Sequence, residues 1–410
     1  MSFKLFSVSS VYPGNLEDFY DQHPEVRQLT YRDHLNLLLN ETTEFVGSYI
    51  RNFRKQGVDA VCVIANDKGL QNKWVHDNSL EGGEEKDTIF QQINAHKPDI
   101  LWIENLSYAG KDWLNIVRRD VKSIKLIVAY HCAPFNSKIL ESLTSVDFVI
   151  TCTPGLKMMI EKMGKKAYLV YHGFDSDLLP GNSETTGSYT NDFIFSGSLI
   201  SGGDFHNNRI KLIERILKEN IDIGLYVNLE NRLKIRAKQS IYLLASLMRK
   251  LKMDAVVENL KILEYGKTKV NMYSHSLITR KRPPVYGADM YKLFSQSKVV
   301  LNYHIGVSGD YAGNMRMFEV TGCGSCLLTD NKKNMGDLFD TNTEVVVYDS
   351  IEDCISKVKW LLDHEYERKK IALAGQKRTL TFHTVEKRCE TIIEILNREL
   401  KFSERQNDSD

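Results

Sequence analysis

Short apolar runs alternate with amphipathic stretches along nearly the whole chain, and the alternation stops once and starts again. Runs at 3–9, 60–65, 100–104, 125–130, 148–152 and 167–171 are separated by helical patterns at 31–56, 88–95 and 155–163. Strands covered on both faces read as unbroken apolar runs, and helices between them carry the chain back, so the pattern predicts βα units around a parallel sheet. Gly57 falls where the 31–56 helix would be capped, and Tyr12-Pro13-Gly14-Asn15 reads as a turn after the first strand. The stretch 180–191 is poor in apolar residues and rich in Gly, Ser, Thr and Asn, which marks a linker. Beyond it, strands are expected at 193–196, 223–227, 299–303, 325–329 and 344–348. Helices are expected at 207–219, 232–251, 288–296, 351–362, 365–380 and 385–400. The segment 258–284 shows no clear period. A chain of 410 residues exceeds what one core usually takes, so two α/β domains are expected, residues 1–180 and 191–384.

Charge and cysteine content narrow the function. With 54 basic and 53 acidic residues the net charge is +1, so no global field draws the chain to nucleic acid, and a charged partner must be met by a local patch. The start lacks a secretory pattern and no apolar run approaches the ~18 residues of a membrane span, which points to the cytoplasm. Seven dispersed cysteines fit reduced thiols better than a disulfide framework. Cys323-Gly-Ser-Cys326 reads as small buried residues rather than half a metal site, since no further ligands stand at suitable spacing. The basic stretch 232–253 is expected to pack its leucines on the second sheet and leave its charges in solvent. An interfacial helix on anionic lipid, a peripheral membrane contact, is the alternative.

The chemistry concentrates at 313–330, GNMRMFEVTGCGSCLLTD. A glycine turn opens a short helix, a second glycine break follows, and a buried strand closes it. A helix start offers unpaired N–H groups and positive dipole, which suits a phosphate. One carboxylate further along, Glu319, is placed to hold the hydroxyls of a sugar attached to that phosphate.

Several stretches carry a family resemblance: VYPGNLEDFY, KPDILWIENL, VDFVITCTPGLKMMI, FSGSLISGGDFHNNRIKLI, MYKLFSQSKVVLNYH, NMRMFEVTGCGSCLLTD and LAGQKRTLTFHTVEKR. Together they resemble the CgeB-like branch of the retaining group-1 (family 4) glycosyltransferases. The resemblance implies the GT-B fold, two facing Rossmann-like domains with an interdomain cleft, and a last helix, 385–400, crossing back to the first domain. It implies a nucleoside-diphosphate sugar as co-substrate, a glycan or glycoconjugate of the cell surface as acceptor, no metal and no other cofactor. Such enzymes are thought to let the leaving diphosphate assist the incoming hydroxyl, so the protein stabilises charge and positions substrates.

Carried over, Glu319 takes the ribose, and Gly313, Asn314 and Met315 form the diphosphate-binding helix start. Gly197 and Ser198 follow the first strand of the second domain, and His206, Arg209 and Arg316 supply positive charge. Tyr286 and Gly287 frame the base, Gly14 faces the diphosphate, and His131 sits near sugar and acceptor. The family's second glutamate, eight positions before the ribose ligand, is here Tyr311, with Asp310 beside it as its possible replacement. Two other outcomes stay open: a sugar-nucleotide epimerase, and a degenerate relative that binds a nucleotide-sugar without turning it over. Oligomeric state, base and sugar are not legible.

Overall fold

The computed structural model describes residues 3–41, 45–80, 83–179, 189–201, 204–253, 269–306 and 309–407. Six strands, β1 (Lys4–Ser9), β2 (Asp59–Ile64), β3 (Ile100–Ile103), β4 (Leu126–Tyr130), β5 (Phe148–Thr151) and β6 (Ala167–Leu169), form one sheet in the order β2-β1-β3-β4-β5-β6. A second sheet, in the order β12-β11-β10-β7-β8-β9, takes β7 (Asn191–Leu199), β8 (Gly224–Leu229), β9 (Lys281–Arg282), β10 (Ser297–Asn302), β11 (Cys326–Asp330) and β12 (Val346–Tyr348). Every pairing in both sheets is parallel.

Alternate residues of the central strands enter different cores, as a period of two requires. In the first sheet Leu5, Trp102, Val128 and Ile150 pack into one apolar cluster, while Phe6, Leu101, Ile127 and Val149 pack into another. In the second sheet Phe195, Leu301 and Leu328 lie in one cluster and Ile194, Val300 and Leu327 in another. The strand order of each sheet reverses direction at one place, between β1 and β3 in the first and between β7 and β10 in the second. In open parallel sheets the carboxyl ends of the strands beside such a reversal are where a ligand crevice forms.

The chain crosses between the halves twice at one point. Phe174 pairs with the segment before the last helix: its N–H donates to the His383 carbonyl at 2.8 Å, and its own carbonyl accepts from Val385 N at 2.9 Å. The Phe174 ring stacks on Tyr291 in the second core, 5.1 Å between centroids. The last helix, Val385–Asn407, buries Val385, Cys389, Ile392, Leu396 and Leu400 in the first core. Its buried Glu399 accepts bonds from Lys166 Nζ at 2.6 Å and Tyr168 OH at 2.6 Å.

Four local expectations need correction or restriction. Residues 12–15 do not form a free turn, because Pro13 starts the helix Pro13–Gln22, where a proline's fixed φ and missing N–H cost nothing. The 31–56 pattern is two helices, Tyr31–Glu41 and Phe45–Lys55, and residues 42–44 lie outside those described. Gly197 and Ser198 are not in a loop, since β7 continues through them, in register with Val227 and Asn228. Most of the 180–191 linker, Gly202-Gly203 and much of 258–284 fall outside the described residues.

The helix Arg232–Lys250 differs most from its expected packing. Leu233, Leu243, Leu244, Leu247 and Leu251 are all more than half exposed, and only Ile235 and Ala245 are buried. The inward face is taken instead by Ile241 and Met248 beside Ala245, and by polar anchors. Lys238 Nζ donates to the Ser201 carbonyl at 3.0 Å, and Gln239 Nε2 to that of Val270 at 3.1 Å.

Candidate functional site

The crevice of the second sheet is built at the carboxyl ends of β7, β10 and β11. Arg209, on the helix Asp204–Lys218 that follows β7, donates from Nη1 to the Ser198 carbonyl at 3.1 Å and from Nη2 to the Tyr303 carbonyl at 2.5 Å. One guanidinium thus fastens both strand ends where the sheet order reverses. Burial, together with the neighbouring Arg316 charge, lowers its pKa to about 10, so it remains a cation near neutrality, with Asp330 favouring that state. His206 Nδ1 lies 3.1 Å from the same Ser198 carbonyl, which makes that nitrogen the N–H donor. Burial and the Arg209 charge hold the ring's pKa below its usual value. A side chain at Gly197 would come 3.7 Å from Arg209 Nη1.

The helix Met315–Gly322 starts without a side-chain cap. Asn314 stands at the N-cap position but turns its amide to Asn302, donating to Oδ1 at 2.7 Å, so its side chain does not cap the first-turn N–H groups. Gly313 is required by close approach. A Cβ there would lie 2.6 Å from the Cys152 carbonyl oxygen and the Thr153 methyl, both on the first half. Arg316 lies with its guanidinium 4.9 Å from the Phe294 ring centre and donates to Glu319 Oε2 at 2.8 Å. Glu319 is 3% exposed. Its burial raises the carboxyl pKa, opposed by Arg316, so the pair is a charge held in reserve in a dry site.

A second pair in this crevice was not singled out from sequence. His304, just past β10, and Asp330, the last residue of β11, are both buried. The His304 backbone N–H donates to Asp330 Oδ1 at 2.8 Å, and His304 Nδ1 lies 2.8 Å from the same oxygen, leaving Nε2 without a partner. Burial pushes the Asp330 carboxyl up, but the bonds from His304 outweigh it and hold the pKa below the usual range. The signal was present in SKVVLNYH and CLLTD: polar residues at the carboxyl ends of otherwise apolar strands.

Residues 244–394 match a family model described as glycosyl transferase-like, well under half of the chain. No curated protein matches the sequence. Among solved structures, HepE from Anabaena in complex with UDP-glucose superposes with a TM-score of 0.56 at 11% identity, over 97% of this chain and 100% of that one. A glycosyltransferase from Rickettsia africae gives 0.54 at 10% identity, over 98% and 99%. Sucrose-phosphate synthase from Thermosynechococcus elongatus gives 0.54 at 6% identity, over 97% and 99%. The fold is GT-B.

In this GT-B frame the remaining predicted residues fall in three places. Gly14 and Tyr286 meet each other, since a Cβ at Gly14 would lie 2.9 Å from the Tyr286 hydroxyl. Gly287, at φ +53°, approaches the Glu41 carbonyl, and Tyr286, Gly287, Asn15 and Phe19 line a cavity of about 270 Å³ between the halves. His131, just past β4, is buried with Nε2 unpartnered, and desolvation lowers its pKa to about 4, so the ring is neutral. Asp310 stands apart from this buried set: its carboxylate is two-thirds exposed and bonded to Lys333 Nζ at 2.6 Å. Tyr311 instead packs its ring against Gly155 of the first half. Cys323 and Cys326 are both buried, and burial pushes the Cys326 thiol up to about 12. The first half adds Glu104, just past β3, whose carboxyl burial raises to about 7.

Proposed function

We propose that this chain is a glycosyltransferase that moves a sugar from a nucleoside diphosphate to a glycan or glycoconjugate acceptor, with retention and with no metal on the diphosphate. The carrying observation is the second-sheet crevice, where Arg209 and the uncapped helix start at Asn314 lie beside Arg316. Two guanidinium groups and a helix N-terminus are the charge a departing diphosphate needs, already oriented and partly dry. Glu319, positioned by Arg316, takes the ribose hydroxyls, and Tyr286 with Gly287 frames the base. His131, neutral and lacking a hydrogen-bond partner at Nε2, serves the sugar or acceptor hydroxyl from the first half.

The test is a panel of nucleotide-sugars scored for thermal shift, nucleotide release and the anomeric configuration of any product. A donor that stabilises the protein and releases its nucleotide with retention is the expected outcome. Binding without release would mark a non-catalytic binder, an altered sugar on an intact diphosphate an epimerase, and no binding by any donor would remove the reading.

For the acceptor side we infer peripheral contact with an anionic lipid surface through Arg232–Lys250. Its four exposed leucines, with Leu251 just beyond, are interleaved with Arg236 and Lys250, and no acidic residue occurs from 232 to 253. A leucine face flanked by cations fits lipid headgroups, whereas a second copy would set like charges against each other. Co-sedimentation with phosphatidylglycerol vesicles at low salt, lost in a Leu243→Gln/Leu247→Gln variant, is expected; equal recovery with neutral vesicles would count against it.

A further inference from the structure

We propose that Cys132, Cys152 and His172 form a binding site for a thiophilic divalent cation of the zinc type. The three residues stand just past the carboxyl ends of β4, β5 and β6. One ligand atom from each, two thiol sulfurs and a ring nitrogen, lie within 4.8 Å of one another. Among the described residues no other group of three His, Cys, Asp or Glu side chains meets that condition.

Parallel register explains why these residues meet although 40 positions separate the first from the last. Tyr130 pairs with Ile150, and Ile150 with Tyr168. Two residues further on, with side chains on the same face, the row reads Cys132, Cys152 and Val170, and His172 follows on that face. The Cys152 and Cys132 sulfurs lie within 4.8 Å of each other. The His172 ring is set from the side by Tyr130, whose hydroxyl lies 3.1 Å from Nδ1. A metal-bound histidine commonly has its second ring nitrogen fixed by a partner of this kind.

The donor set fits the ion in type and charge. Two thiolates and a neutral imidazole neutralise a dication and match a tetrahedral site with metal–sulfur bonds of about 2.3 Å and metal–nitrogen bonds of about 2.0–2.1 Å. Bonds of that length at tetrahedral angles put donor atoms roughly 3.5–3.8 Å apart, so closure needs inward movement of about 1 Å. Binding would release the two thiol protons to solvent and leave the fourth position for water or a solute. Cys152 and His172 are buried and Cys132 is half-buried. The ion would tie together three strand ends, one of which carries the Cys152 carbonyl that Gly313 of the second half approaches closely.

The site is tested on the full chain, reduced, freed of metal by a chelator and titrated with Co2+ in the absence of any donor. One equivalent should bind, with the thiolate-to-cobalt charge-transfer band and the intense visible bands of a tetrahedral centre, all removed by Zn2+. Cys152→Ser and the half-buried Cys132→Ser should each abolish the charge-transfer band, with folding checked by circular dichroism. Tyr130→Phe should weaken binding about tenfold while keeping the spectrum. A Cys323→Ala/Cys326→Ala variant should bind as the parent does. Absence of the bands at equimolar Co2+, or bands that survive both Cys132→Ser and Cys152→Ser, would overturn the proposal. So would a reduced protein that forms a Cys132–Cys152 disulfide on air exposure yet takes up no metal when reduced. Each readout is independent of nucleotide-sugar turnover.

Discussion

The two sheets share parallel topology and collect polar residues at the same carboxyl edge, but they treat those residues in opposite ways. In the second half Arg209, Asn302, Asn314, His304 and Asp330 are bonded to one another or to strand-end carbonyls. In the first half His131 is stripped of solvent and neutral, burial likewise lowers the His172 pKa, and Cys132 and Cys152 cluster beside it. Both arrangements pay desolvation, but only the second offsets it with charge-assisted bonds, which is why fixed positive charge survives there. The second half therefore keeps fixed charge at its strand ends, and the first keeps neutral groups there.

The sharpest way to break that contrast is Arg209→Ala. It removes the cation and the tie between the two strand ends, so donor turnover should fall roughly a hundredfold, about 3 kcal/mol. Arg209→Lys should not restore it, because a point-like ammonium lacks the planar fork with which the guanidinium reaches both strand ends. His131→Ala should leave donor affinity, measured by nucleotide titration, nearly unchanged; an equal loss in both variants would erase the distinction between the halves.

A smaller effect is expected at Asp330→Asn, which keeps the size but weakens the bonds that set His304. Turnover should drop about tenfold with little change in donor affinity. If affinity and turnover fall together, the pair supports the donor pocket and does not orient a working histidine.

His383 lies at the crossing between the halves, its Nε2 2.8 Å from the Leu338 carbonyl and its Nδ1 2.7 Å from Arg388. Burial lowers its pKa to about 4, so the unfolded chain binds its proton first as pH falls below about 6.5. Stability contributed by the neutral ring is present above pH 6.5 and is lost between about 6.5 and 4. His383→Gln, which can still donate to Leu338, should flatten that part of the urea-midpoint profile relative to the parent.

The smallest effect is expected at Asp310→Asn. Its pairing with Lys333 is exposed on both sides, where solvent screening leaves an ion pair little stabilising effect. Stability should hardly move, and activity should stay within about twofold. A large loss of turnover would mean that donor binding draws Asp310 into the crevice in place of the glutamate that Tyr311 displaces.

Legibility in sequence followed the range of the interactions. Apolar runs such as 125–130 and 299–303 became strands because burial on both faces requires apolar residues at every position. The helix start after Gly313 was readable because glycine breaks are local signals. The turn expected at 12–15 became a helix, since proline at N1 and proline in a turn look alike in one dimension. The leucines of Arg232–Lys250 could not be assigned a side, because amphipathic period fixes that a helix has two faces but not which one meets protein.

By itself the sequence determined the two βα series, the buried strands and the helix carrying Glu319, all of which depend on neighbours a few residues apart. Tertiary structure alone decided that Arg209 bridges β7 and β10, that Asp330 holds His304, and that Cys132 and Cys152 stand side by side near His172. Those meetings depend on which strands lie adjacent and in what register. A parallel sheet joins segments tens of residues apart, and no local pattern encodes that distance.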